Sequence, residues 1–150
     1  MRSLLPLTIT AFALIACGPK STTMEDFQTR PLTLPGGQIL RVETMSENID
    51  LLRGLMYRKS LAPDRGMLLA YPKPGHYQMF MYKTLIPLDV IWMDGNRDII
   101  DINYNLQPCP ETTASKCQRY GGKQLEEFAL EVPAGMAQKF GLQPGQRINW

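Results

Sequence analysis

The sequence predicts a mainly β domain, α+β by strict count. Its expected form is a compact antiparallel sandwich or barrel of about seven short strands with two brief helices. Three observations carry this. Short runs of β-branched and aromatic residues alternate apolar and polar positions. Twelve Gly and twelve Pro are spread along 150 residues and punctuate those runs. Only two stretches, after Ser46 and after Pro133, show helical spacing of apolar positions. A chain of this length, 44% hydrophobic and 20% charged, holds one sizeable core but not two.

Taken in order, the first element is an address. One charge, Arg2, precedes an apolar run from Leu4 that is too short to span a bilayer and sits where a secretory signal peptide sits. It closes on Leu14-Ile15-Ala16-Cys17, similar to the lipobox of bacterial lipoproteins, in which the cysteine becomes the lipidated first residue. The rival is cleavage after Ala11-Phe12-Ala13, with Cys17 left as a thiol. In the lipoproteins it resembles, Gly18 after the cysteine implies the periplasmic face of the outer membrane, a soluble periplasmic protein being the alternative. Residues 1–16 are therefore expected to be signal peptide, 17–30 the lipidated cysteine and a polar tether, and 31–150 one β-rich domain.

Leu32–Leu34, the turn Pro35-Gly36-Gly37 and Gln38–Val42 read as a hairpin. Ser46 is placed to cap a short helix, with Glu47 and Asp50 in its first turn and Ile49, Leu52 and Met56 on one face. Met67–Tyr71, Tyr77–Tyr82 and Leu88–Met93 read as strands, and Asp94-Gly95-Asn96 turns the last into Ile99–Tyr104. Phe128–Val132 alternates apolar residues inward with Glu131 outward. Pro133 opens a second helix carrying Met136, Ala137 and Phe140, and Gly141 stops it. Ile148–Trp150 is read as a last strand.

Sixteen Lys and Arg against fourteen Asp and Glu leave a net charge of +2, too little for a dedicated nucleic-acid binder. Three cysteines are odd for an exported protein. With Cys17 lipidated, Cys109 and Cys117 remain to form a disulfide, worth about 2–3 kcal/mol by closing so short a loop. A metal-binding pair would show Cys-x-x-Cys spacing or neighbouring histidines, and the single histidine, His76, is distant in sequence. Met79 and Met81 alternate to the face opposite His76, so they read as core filler and not as a copper site. No metal and no cofactor are expected.

Three segments together carry a family resemblance. They are Arg53-Gly54-Leu55-Met56-Tyr57-Arg58 with Gly66-Met67-Leu68-Leu69, then Met79–Met93, then Ala129-Leu130-Glu131-Val132-Pro133-Ala134-Gly135. Over about residues 38–149 the chain resembles the bacterial and archaeal family catalogued as domain of unknown function 192. The resemblance implies a compact, mainly β, often exported domain, and brings no established activity, cofactor or catalytic residue. This chain departs from it at one place. Where the family commonly reads Phe-Trp-Met-Lys-Asn-Thr, it has Met79-Phe80-Met81-Tyr82-Lys83-Thr84, with Lys83 at the asparagine position.

Asp89 is the most informative single residue. It stands in a strand whose two faces are both apolar, so its carboxylate must lie at a pocket mouth or have a donor. Arg53, Arg58 and Lys83 are the nearby cations, with the Thr84 hydroxyl as a neutral partner. Two readings follow: a polar site rimmed by Arg53, Arg58, Lys83, Thr84 and Asp89, or a structural ion pair pinning helix to sheet. Hydrolytic chemistry lacks a serine in a nucleophile-elbow pattern. The expected function is thus an exported, lipid-anchored envelope protein that binds a small polar ligand or peptide without catalysis. The alternatives are an enzyme acting on envelope glycans or peptides through Asp89, and a structural partner in an envelope complex.

Overall fold

A computed structural model describes residues 29–150. The expected signal peptide, Cys17 and most of the expected tether lie outside the described residues. Alternating apolar residues drive strands wherever one row can be buried. The order is β1 (Thr29–Thr33), β2 (Ile39–Met45), α1 (Asn48–Arg53), β3 (Arg65–Gly75), β4 (Gln78–Met79), β5 (Leu88–Met93), β6 (Ile99–Leu106), β7 (Tyr120–Gly121), β8 (Glu126–Pro133) and α2 (Met136–Lys139). The fold is mixed α+β and mostly antiparallel. Six strands form one sheet in the order β1-β2-β3-β8-β5-β6, and β4 pairs with β7 in a small second sheet. Only β2 and β3 run parallel, which requires a crossover, and the segment holding α1 supplies it. The last residues reach both edges of the large sheet: Asn149 is bridged to Thr33 of β1, and Arg147 to Asp98 just before β6.

Both faces of the large sheet are covered. Leu32, Val42, Leu68, Ile91, Leu130 and Ile148 gather in one core, closed by Met136 and Ala137 of α2. Met67, Leu69, Val90, Trp92 and Ala129 gather in the other, under Leu55, Met79 and Met81. Cys109 and Cys117 form the expected disulfide, with 5.8 Å between their Cα atoms.

Several elements differ from expectation. β1 opens at Thr29, inside the stretch expected as tether. Helix α1 is capped at Glu47 and not at Ser46, with no side-chain cap. It is short and lies over the sheet on Leu51, so Ile49 and Leu52 are 72% and 67% exposed instead of facing the core. The expected strand Tyr77–Tyr82 shrinks to Gln78–Met79, because only the two residues of β7 are there to pair with it. Pro133 ends β8 and does not start α2, which opens after Gly135 in a left-handed conformation. The final strand is a single bridge at Asn149.

Asp89 is fully buried on the α2 face of β5, where it replaces a side chain of the first core. Its Oδ1 accepts the Asn105 N–H at 2.8 Å and its Oδ2 the Ala137 N–H at 2.9 Å. The pairing of β5 with β6 shifts register between Leu88 and Val90, and Asn105 takes φ 51° there. One carboxylate therefore pins both the irregular step in β6 and the first turn of α2. Asp89→Ala strips acceptors from both amides and should cost about 2–4 kcal/mol of stability in urea unfolding. A loss no larger than that of an exposed substitution would show that these bonds do not hold the fold.

Candidate functional site

Glu131 lies on β8 opposite Met67 of β3 and Val90 of β5, in the apolar row of the second core. It is 7% exposed, not outward as its alternation predicted. The reason is that β8 is covered on both faces, so alternation there separates two cores and not core from solvent. Above it passes Gly54, the residue that ends α1, with φ 45° and ψ −131°. That conformation is open to glycine and strained for other residues. A Cβ on Gly54 would stand 3.5 Å from Glu131 Oε2, so its absence leaves free space beside the carboxyl.

That space opens into a cleft of about 490 Å³. Leu51, Leu52 and Leu55 form its α1 side, Leu69 and Tyr71 of β3 its floor beside Glu131, and Met79 and Phe80 the opposite wall. Tyr71 and Tyr77 stack with centroids 3.8 Å apart and planes within 6°. Glu126, also buried, accepts the Tyr77 N–H at 3.0 Å and so holds that end of the stack.

Glu131 Oε2 has no hydrogen-bond partner. Burial pushes its carboxyl up to about 7, against the opposing pull of the Arg58 guanidinium. Burial is also the main cause that raises the Tyr71 phenol, followed by the charges of Glu131 and Glu126. Arg58 is held bidentately by Glu43, at 2.5 and 2.6 Å. A mostly apolar cleft with one convergent, perturbed polar group is the usual form of a small-ligand site. When ionised, Glu131 accepts a donor or a cation; when protonated, it donates a hydrogen bond itself.

The expected site residues are dispersed. Arg53 and Thr84 line the cleft with Glu131. Arg58 stands in the neighbouring hollow with Glu43. Lys83 is exposed, its ammonium 5.2 Å from the Tyr82 ring centre. It takes φ 56°, a left-handed conformation that asparagine tolerates better than lysine. Asp89 lies on the other face of the sheet, its carboxylate taken by backbone amides, and does not rim the cleft. The sequence reading places Glu131 outward and not in a site, although Ala129-Leu130-Glu131-Val132 shows the same signal as Asp89, a carboxylate in a strand apolar on both rows. Among the described residues no three His, Cys, Asp or Glu are grouped to hold a metal, and no described helix is long and apolar enough to cross a membrane.

Fold and cleft together define a small, mostly antiparallel α+β domain with an apolar pocket floored by a buried carboxyl. The chain belongs to the family DUF192, described as "Uncharacterized ACR", whose model matches residues 32–150. It is 26% identical over 65% of its length to a UPF0127 protein of Thermococcus kodakarensis, and 25% identical over 73% to one of Thermococcus gammatolerans. The matches span 57% and 65% of those relatives, less than two thirds of their lengths. Among solved structures it is similar to a protein of unknown function from Novosphingobium aromaticivorans. That match has a TM-score of 0.74 and 25% identity, over 95% of this chain and 100% of that one. A protein of Sinorhizobium meliloti described as a candidate transcription regulator matches with a TM-score of 0.68 and 29% identity, over 79% of this chain and 88% of that one.

The raised carboxyl makes stability depend on pH. The folded value of about 7 lies above the usual 4.5, so the native state binds this proton more tightly than the unfolded chain does. The contribution is therefore present below about 4.5 and is lost as pH rises through 7. Glu131→Gln should gain on the order of 3 kcal/mol more stability at pH 8 than at pH 4, measured by urea unfolding at both values. Equal changes at the two values would show that burial does not raise this carboxyl above its unfolded value.

Proposed function

We propose that this protein is an exported, lipid-anchored envelope protein whose domain binds a small ligand or peptide without catalysing a reaction. The ligand seats in the cleft over Glu131. The carrying observation is the buried Oε2 without a donor, on a glutamate that lines a cavity of about 490 Å³ walled mainly by apolar side chains. Such walls hold a ligand by burial while one polar group fixes its orientation. The Leu14-Ile15-Ala16-Cys17 sequence supports the anchor, with Cys17 as the lipidated residue and the periplasmic face of the outer membrane as the location.

A thermal-shift screen of the full protein against sugars, peptides, peptidoglycan fragments and small amphiphiles tests the site. A ligand at about a hundred times its dissociation constant adds roughly 2.7 kcal/mol, an easily read shift. The shift should shrink in Glu131→Gln and in Leu52→Glu, which places a charge at the exposed mouth. Hits unaffected by both variants would remove the ligand from the cleft. For the anchor, the wild-type protein should partition into detergent and Cys17→Ser into the aqueous phase; equal partitioning would remove the lipid.

A further inference from the structure

The cleft has a chemical preference that its shape alone does not set. This inference rests on the cleft being the binding site. We infer that its ligand carries an N–H-bearing ammonium group on an apolar body, with the ammonium against Glu131 Oε2 and the body along Leu51, Leu52 and Phe80.

Four observations support this. Oε2 is buried, unpartnered and able only to accept when ionised, so it calls for a donor. The missing Cβ of Gly54 leaves a methyl-sized space beside that oxygen, on the side of the cleft that Gly54 lines. The floor is acidic: the charges of Glu131 and Glu126 both reach Tyr71 between them. The groups that would receive an anion are engaged elsewhere. The Gly54 N–H donates to Asp50 O, the Met56 N–H to Arg53 O and the Tyr57 N–H to Lys83 O. Arg58 is held by Glu43. Arg53 and Arg119 are exposed, Arg119 lying over the Phe80 ring. Solvent screens both more than it screens the buried carboxyl. A bare hydroxyl would satisfy Oε2 but add nothing to the partial compensation that Arg58 gives its charge, whereas an ammonium supplies both donor and charge.

The test uses hexylammonium, 1-hexanol and hexanoate, three probes with one apolar body and three heads, titrated into the full protein at pH 8. Binding is read by calorimetry and located by the NMR signals of Tyr71 and Met79. Hexylammonium should bind about tenfold or more tightly than hexanol, with hexanoate weakest. Glu131→Gln should bring hexylammonium down toward the alcohol. Probes that move the Tyr71 and Met79 signals with equal affinity, or with hexanoate tightest, overturn the ammonium inference and leave the cleft reading standing. Probes that move neither signal overturn both.

Discussion

The position of β8 governs the rest of the molecule. It pairs antiparallel with β3 on one side and β5 on the other, at the middle of the six-stranded order. Cores lie on both of its faces, so over Ala129–Val132 neither of its side-chain rows meets bulk water. Leu130 and Val132 enter the first core and Ala129 the second. Any polar side chain in such a strand is desolvated by the fold itself, before any ligand or partner is considered. Glu131 occupies that position, and the long crossover from β2 to β3 carries α1 and Gly54 directly above it.

The same sheet handles two carboxylates in opposite ways. Asp89 and Glu131 stand on adjacent strands and opposite faces, one fully buried and the other nearly so. Asp89 receives two backbone amides and fastens β6 and α2. Glu131 receives no donor on Oε2, and burial raises its carboxyl instead. A satisfied buried carboxylate organises structure, while an unsatisfied one facing a cavity stores binding capacity at some cost in stability. That asymmetry separates the two residues more sharply than their chemical identity does.

Much of the scaffold was legible in the sequence. The β1–β2 hairpin, β5 with its exact bounds and the turn into β6 follow from alternation and turn residues. The cysteine pairing follows from simple counting. What failed shares one cause. Alternation reports that a strand has two rows but not what covers each, so it places Glu131 toward solvent and leaves Asp89 between a pocket and a structural partner. Both assignments depend on tertiary cover: α1 with the β4–β7 pair on one face, α2 on the other. Helical periodicity failed at α1 for a related reason. Six residues make too few turns for an apolar stripe to choose its face, and Leu51 took the inward place expected of Ile49 and Leu52.

The segments that carry the family resemblance also explain why the cleft, and not the sheet in general, is the feature to follow. Gly54, Leu55 and Met56 come from the first, which continues to Leu69 across the crossover; Met79, Phe80 and Thr84 come from the second; Glu131 comes from the third. Segments up to about eighty residues apart in sequence thus meet around one carboxyl. A backbone bond ties two of them together, from the Tyr57 N–H to Lys83 O, with both residues in left-handed conformations. A sheet needs only alternating apolar residues, which many sequences satisfy. Left-handed turns, a glycine over a carboxyl and a donor-free oxygen are narrower requirements. They cost stability locally, and here they meet around one cavity.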